Sequence, residues 1–285
     1  MKKTKISVIT TLYGGNAYLP RLVEMFRQNV AGLGEAAEAE YILVNDSPWT
    51  PVELEGLNLD ELDIRVVENP ENYGIHRSRV EGIRTATGEF ILILDQDDEI
   101  ADNYLLSQLS AIGSCPAVVC NGIKELAVGG KKIYRDKCKM SLINCKWPYL
   151  LAANQIVSPG QCLLRKAAIP EAWLENPQKV NGADDLFLWL LMLDGGMKFA
   201  KNPALLYTHK QVGDNPSNSL EKMCLSDEEM CHILRQKKLL PEKDIQKRRR
   251  MCAYLKANGY HNFGSLGAML RYPDVVIAKI IARYI

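Results

Sequence analysis

With 285 residues, 47% of them hydrophobic and 24% charged, the chain is long enough to bury a full core and has the composition of an ordinary globular protein, which excludes a disordered or fibrous one. A net charge of +1 gives no reason to expect nucleic acid as a partner, although the charge is uneven: residues 240–285 carry nine Lys or Arg against three Asp or Glu. The eight cysteines form no Cys-x-x-Cys pair, which argues against a zinc site or a thioredoxin-type motif, and no run of about 18 apolar residues is present to span a bilayer. The short, β-branched run within Met1 to Leu12 does not read as a signal peptide, so the cysteines are expected to be reduced and the chain cytoplasmic.

Ile6 to Leu12 is the first strand-like run. A helical stripe of Tyr18, Leu19, Leu22, Val23 and Phe26 follows, then strand-like runs at Glu40 to Val44 and Ile64 to Glu68. Ile75, Arg79, Gly82, Ile83 and Ala86 line one side of the next helix, which leads to a run at Phe90 to Leu94. Strands of this kind are expected to be buried on both faces, and the β-α-β-α order predicts a doubly wound parallel sheet. Past Asn121 the pattern changes to a hairpin through Gly129-Gly130, an irregular stretch from Lys137 to Pro159, a short strand at Cys162 to Arg165 and a helix from Asp184 to Leu193. We expect one α/β domain over residues 1–223 and a helical basic tail over 224–285.

The run from Phe90 ends in Asp95-Gln96-Asp97-Asp98-Glu99, four carboxylates in five positions. Like charges this close raise one another's pKa unless a cation or strong donors compensate, and oxygen ligands from Asp95, Asp97 and Asp98 suit Mg²⁺ or Mn²⁺. The plainer alternative is a solvated acidic turn before a helix capped by Asp102 or Asn103. Position favours a ligand, because open parallel sheets bind at the carboxyl ends of their strands.

Four motifs in order over about 100 residues resemble glycosyltransferase family 2, with its GT-A fold: Ser7 to Tyr13, Glu40 to Ser47, Asn72-Tyr73-Gly74 with Ser78-Arg79 and Gly82, and Thr87-Gly88-Glu89 leading to Asp95-Gln96-Asp97-Asp98. The resemblance implies a Rossmann-like, mainly parallel sheet flanked by helices, and nucleotide-sugar contacts from Thr10, Thr11, Tyr13, Asp46, Asn72, Arg79, Asp95 and Gln96. Asp46 would read the base, Asp95 would lie near the ribose, and Asp97 would ligate Mn²⁺ or Mg²⁺. Taken on their own, Arg79 suits a bidentate phosphate contact or an ion pair with Glu81, and Asp46 suits a turn with Ser47 and Pro48.

Asp184 and Asp185 open an apolar helix, where the helix dipole favours negative charge and where capping alone would account for them. The same resemblance makes Asp185 the catalytic base, with Asp184 as its alternative one residue away. Ser158 to Cys162 is similar to the loop and strand beside the acceptor pocket, which puts Gly160 and Gln161 on the acceptor side. Late in the domain, one setting of the family pattern gives the histidine position to His209, as a metal ligand, and the other to Val212; Lys210 is a candidate diphosphate contact. In the tail, Lys247 to Arg250 reads as a solvated basic face, and Val276, Ile280 and Tyr284 with Ile277, Ile281 and Ile285 form adjacent helical lines suited to anionic lipid, to the protein body or to a second copy.

The expectation from these features is a metal-dependent, inverting glycosyltransferase that uses a nucleotide-sugar, a UDP-sugar first, and a glycan or lipid-linked acceptor in surface polysaccharide synthesis. It would need no nucleic acid and would contact a membrane peripherally through the tail. The rival from another class is a non-catalytic sugar-nucleotide-binding or scaffolding subunit of the same fold; a nucleotidyltransferase is disfavoured by the lack of a Gly-rich, basic phosphate loop after the first strand.

Overall fold

The structure, a computed structural model, describes residues 3–125, 129–210, 219–261 and 265–285, which belong to two compact units. The first unit (Met1–Tyr134, Val157–Ile169 and Lys198–Gln211) holds β1 (Lys5–Leu12), α1 (Leu19–Leu33), β2 (Glu38–Asn45), β3 (Asp63–Glu68), α2 (Ile75–Thr85), β4 (Phe90–Ile93), β5 (Glu99–Ile100), α3 (Tyr104–Ile112), β6 (Ala117–Glu125), β7 (Gly130–Lys132), β8 (Cys162–Arg165) and β9 (Ala200–His209). The sheet runs β3-β2-β1-β4-β8-β6-β9-β5, with β7 paired to β6 through the expected hairpin. Its β3-β2-β1-β4 half is parallel, as the alternation of elements predicts. Antiparallel β8 then joins β4 to β6, which makes the whole sheet mixed.

Side-chain parity along β1 decides which helices it meets. Ile6, Val8 and Leu12 join the core built with Leu22 and Phe26 of α1 and Leu105 of α3. Ile9 points the other way, toward α2, where Gly82 lets helix and sheet touch: a Cβ there would sit 2.4 Å from Ile9 Cγ2 and 3.1 Å from Val44 Cγ2. Under the sheet's amino ends, Glu40 is fully buried and accepts from Ser7 Oγ, the Thr87 N–H and Lys5. Burial alone would raise its carboxyl, but these donors outweigh it and hold the pKa at about 2. One expectation fails at β3. It is the edge strand, and Asp63, Arg65, Val66 and Glu68 are exposed, so the run is not buried on both faces; charge at an edge blocks further strand pairing.

The second unit (Arg135–Ile156, Pro170–Met197 and Val212–Ile285) has no strand among its described residues. Its helices are α4 (Lys137–Ser141), α5 (Lys146–Leu151), α6 (Glu171–Glu175), α7 (Asp184–Asp194), α8 (Leu220–Gln236), α9 (Glu242–Ala257), α10 (Leu266–Arg271) and α11 (Pro273–Tyr284). The first two lie in the stretch expected to be irregular. Five- and six-residue helices leave no periodic signature, and α4 starts because the Asp136 carboxylate accepts from the Lys139 N–H at 2.8 Å. Residue 223 falls within α8, and Cys224, Met251, Tyr254 and Val275 form a common core, so the residues of the tail share one helical unit with earlier segments. The basic run of α9 is no uniform solvated face: Arg248 is buried on Asp227 and the Tyr149 carbonyl, while Lys247 and Arg250 pair with Asp244 and Asp274. All eight cysteines are free thiols.

Candidate active site

Neighbouring strands β2, β1 and β4 end side by side, so Asp46, Tyr13 and Asp95 all lie just past carboxyl ends of one parallel half-sheet. Asp46 is buried and already heavily used: Oδ1 accepts from Asn69 Nδ2 at 2.8 Å and the Tyr73 N–H at 2.7 Å, and Oδ2 accepts from the Gly74 N–H at 3.0 Å. It thereby fixes the turn that starts α2, and about one lone-pair site on Oδ2 remains for a donor such as a base N–H. Asn72 is exposed, and its Oδ1 accepts from the same Gly74 N–H at 3.1 Å. Tyr13 projects into solvent edge-on to Trp49, ring centroids 6.1 Å apart, on a turn held by the Gly14 N–H to Ser47 Oγ.

Thr11 is half-buried, whereas Thr10 lies wholly inside the core with its hydroxyl on that of Tyr41, 2.9 Å away. The side chain of Thr10, expected to contact the nucleotide-sugar, is thus turned by the parity of β1 toward α1 and α3.

The acidic loop after β4 is compensated largely by the protein itself. Arg79, 5% exposed, grips Asp95, while Glu81 takes Arg84; Ser158 Oγ donates to the other Asp95 oxygen at 3.1 Å. Arg21 of α1 donates to the carbonyls of Gln96 and Asp98 and pairs with Glu99, which also takes Lys210. Asp98 is buried among the Tyr207 hydroxyl, His209 Nδ1 at 3.2 Å and the Lys210 N–H at 2.9 Å. Burial disfavours a charged imidazole, yet the Asp98 carboxylate wins and raises the His209 pKa. Gln96 reaches back to β1, accepting from the Tyr13 N–H at 3.0 Å. Asp97 is half-buried on the same loop. Asn103 stands before α3 without a side-chain capping bond, so capping does not explain the carboxylates.

The 158–161 segment braces this loop from within. Gln161, expected on the acceptor side, is fully buried: its amide donates to the Cys120 carbonyl at 3.0 Å and accepts from the Val157 N–H at 2.7 Å. Gly160 is buried as well, with its carbonyl on the Tyr104 hydroxyl, and a Cβ there would meet Tyr207 Cε2 at 2.7 Å. Its missing side chain serves packing. Sequence reasoning alone passes over Arg21 and does not join Ser158 to Asp95, because their partners lie between 63 and 77 residues away and leave no local pattern.

In the helical unit, Asp184 and Asp185 are buried in the first turn of α7. The Asp184 carbonyl accepts from Trp173 Nε1 at 2.7 Å, and the Ala183 N–H donates to Ser226 Oγ at 2.9 Å, so the turn is pinned from two helices. Asn154 Nδ2 donates to Asp185 Oδ2 at 2.7 Å and aims that carboxylate. Asn154 carries no signal in the sequence either.

Residues 7–169, more than half the chain, match the family model described as Glycosyl transferase family 2. The chain belongs to glycosyl transferase family 2. A putative glycosyltransferase, EpsH of Bacillus subtilis strain 168, is 28% identical over 138 residues, 48% of this chain and 39% of that protein. A protein of Mycobacterium tuberculosis described as "Putative glycosyltransferases" is 26% identical over 98 residues, 33% of this chain and 28% of its own length. The match thus spans well under half of these curated relatives. Among solved structures, S. aureus TarS 1-349 in complex with UDP-GlcNAc superposes with a TM-score of 0.63 at 15% identity, covering 98% of this chain and 81% of that one. The mannosyltransferase PcManGT from Pyrobaculum calidifontis, in complex with GDP-Man and Mn²⁺, gives 0.55 at 15% identity over 99% and 85%. These likenesses establish the GT-A fold with its C-terminal helices. The family match ends before α7 and β9, so Asp184, Asp185 and His209 lie beyond it.

For this member of the family, the donor set bears on a metal. Among the described residues no group of three or more His, Cys, Asp or Glu side chains is arranged to hold an ion. Mg²⁺ and related ions are commonly bound through one or two carboxylates plus substrate phosphates, not by all-protein cages. Asp97 offers a carboxylate, and His209, with Nδ1 turned to Asp98, keeps Nε2 for coordination. Donors of these types fit an ion that the protein holds only in part. The rest of the late motif, residues 211–218 with Val212, lies outside the described residues.

Proposed function

We propose that the protein is an inverting glycosyltransferase that moves a sugar from a nucleotide-sugar, a UDP-sugar in the first instance, to a glycan or lipid-linked acceptor in surface polysaccharide synthesis. The observation that carries this reading is the convergence of Asp46, Tyr13 and the Asp95–Asp98 loop at adjoining strand ends, within a chain of this family. Such a place in an open sheet receives the nucleotide. Tyr13 supplies an exposed ring face for the base and Asp46 an acceptor for its N–H. Arg79 and Ser158 hold Asp95 in one orientation for the ribose. Asp97 and His209 would hold Mn²⁺ or Mg²⁺, which when bound offsets charge developing on the departing diphosphate.

Asp185 is assigned as the general base. It takes the proton of an acceptor hydroxyl; the freed oxygen bonds to the anomeric carbon while the bond to diphosphate breaks and its electron pair leaves with the nucleotide, so the anomeric configuration inverts. The hydrogen bond from Asn154 supports this role by fixing the carboxylate. No helix among the described residues is long and apolar enough to cross a membrane. We place the protein in the cytoplasm, in peripheral contact with the membrane through its last helices.

The deciding experiment is a thermal-shift screen of UDP, GDP and their sugars with and without Mn²⁺, since a ligand that binds only the native state raises Tm. A UDP-sugar should raise Tm, and more so with Mn²⁺. Stabilisation by none of them would overturn the donor reading. Binding without turnover on any glycan or lipid-linked acceptor would favour the non-catalytic alternative.

A further inference from the structure

The last helix has two apolar faces, and only one is covered. On α11, Val275, Ala278, Lys279 and Ala282 are buried, whereas Ile277, Ile280, Ile281 and Tyr284 are 56, 44, 40 and 67% exposed. At about 100° per residue each set fills an arc of roughly 100°, and the two arcs are nearly opposite. On α10, Leu266 and Leu270, one turn apart, are 71 and 74% exposed while Ala268 is buried. Seven of the thirteen exposed large hydrophobic residues of the described chain fall between residues 266 and 285, and the other six are spread over the preceding residues. Scattered apolar side chains need no explanation, but four along one face of a helix, beside two more on the helix before it, do.

Charge decides what could cover it. Arg271 and Arg283 are exposed, lie 5.6 and 5.9 Å from the rings of Tyr272 and Tyr284, and have no carboxylate partner among the described residues. Asp274, the one acid between residues 266 and 285, is held by Arg250 Nε and Nη2, each at 2.8 Å. The stripe is therefore edged by cations with no uncompensated anion. Two copies meeting through it would bring four arginines together, which disfavours self-association. A helix of 12 residues, about 18 Å long, is too short to span a bilayer and suited to lying along its surface.

We propose that the outward faces of α10 and α11 form a docking surface for an anionic lipid bilayer, with the leucines and isoleucines entering the headgroup–acyl boundary and Arg271 and Arg283 meeting lipid phosphates. This deepens the membrane-contact part of the function proposed above by naming its residues and lipid chemistry, and it does not depend on the donor chemistry.

The test floats the full chain with vesicles of phosphatidylcholine alone or mixed with phosphatidylglycerol. The protein should float with the mixed vesicles only and be released by salt. Leu270→Glu with Ile281→Glu should lower the bound fraction about tenfold or more, while Tm and the Tm shift given by UDP stay at wild-type values because both positions are exposed. Arg271→Gln with Arg283→Gln, which leaves the apolar stripe intact, should lose the preference for phosphatidylglycerol and tests the same surface if the glutamate variant fails to fold. Wild type that floats with neither vesicle, or variants that float as wild type does, overturn the proposal. So does a dimeric wild type that becomes monomeric in the glutamate variant, which would make the stripe a self-interface. Failure of UDP to shift Tm would count against the donor reading and leave this result standing.

Discussion

Asp98 and Asp227 are each 1% exposed, yet the two units treat a buried carboxylate in different ways. In the α/β unit, Asp98 is surrounded by a tyrosine hydroxyl, a histidine and a backbone N–H, beside a loop whose other acids are met by Arg79, Arg21 and Lys210. In the helical unit, Asp227 is closed onto Arg248 and Cys252, and its Oδ1 and the Arg248 Nε have no hydrogen-bond partner. The first arrangement spreads charge over many donors at a strand end, where a ligand can join. The second commits one cation to one anion inside a helix core, which contributes to the scaffold and leaves no room for a ligand.

The sharpest way to break that contrast is to open the closed pair. Asp227→Ala leaves Arg248 buried and uncompensated, and should cost about 3–5 kcal/mol in urea unfolding. Adding Arg248→Met should recover much of it, because the apolar pair has no charge to desolvate, although Ala and Met fill less space than Asp and Arg. A cost below about 1 kcal/mol would mean that water reaches the pair and that the helical unit is looser than its packing indicates.

Asp185→Asn should behave in the opposite way. Stability and UDP affinity should stay near wild type while sugar transfer slows by roughly two orders of magnitude or more, the scale for loss of a general base. Asn154→Ala should move the same rate by less, since it removes the group that aims the carboxylate and not the carboxylate itself. Wild-type transfer by Asp185→Asn together with an inactive Asp184→Asn would shift the base by one residue.

Asp97→Ala sits between these extremes. Because Asp97 is half-buried on a loop that Arg79, Ser158 and Arg21 hold through other residues, its removal should leave the fold intact and weaken UDP binding about tenfold in Mn²⁺ while changing metal-free binding little; calorimetry in both conditions separates the two. Equal affinity loss without metal would show that Asp97 acts on the loop and not through an ion.

Legibility of the sequence follows the same division. The β-branched runs and the acidic strand end are plain because they are local patterns, and the apolar run after Asp184 marks α7 to within one residue of its end. Thr10 and Gln161 are assigned ligand contacts by the family resemblance, and the structure buries both. Thr10 shares the parity of Ile6, Val8 and Leu12, the more apolar face of β1, which a motif match takes no account of, and the partners of Gln161 include a carbonyl 41 residues away. Long-range hydrogen bonds such as those of Arg21, Ser158 and Asn154 have no spacing rule. The largest gap is the helical unit, whose segments are separated in the chain by strands of the other unit and whose first helices are too short to show a period.

Lys279 gives the smallest expected effect and the one with the clearest dependence on pH. It is buried on the covered face of α11, with its Nζ 5.7 Å from the Tyr254 ring of α9, and Arg248 of α9 and Cys224 of α8 are among the charged or titratable groups acting on it. Burial, aided by the Arg248 charge, lowers its pKa from 10.5 to about 8. Between those two values the unfolded chain binds more protons at this site than the folded one, so the penalty for burying the ammonium is full below pH 8 and fades as the pH rises toward 10.5. Lys279→Met should therefore stabilise the protein at pH 7 by about 1–2 kcal/mol, less than the full shift implies because a long side chain can carry some water with it. The gain over wild type should shrink steadily in urea titrations repeated at increasing pH, and taking the difference between the two proteins cancels the thiols and phenols that also titrate there. A gain that is the same at pH 7 and pH 10 would assign the effect to packing by the methionine side chain, and Lys279 would then keep its proton in the folded protein over that range, as it does in the unfolded chain.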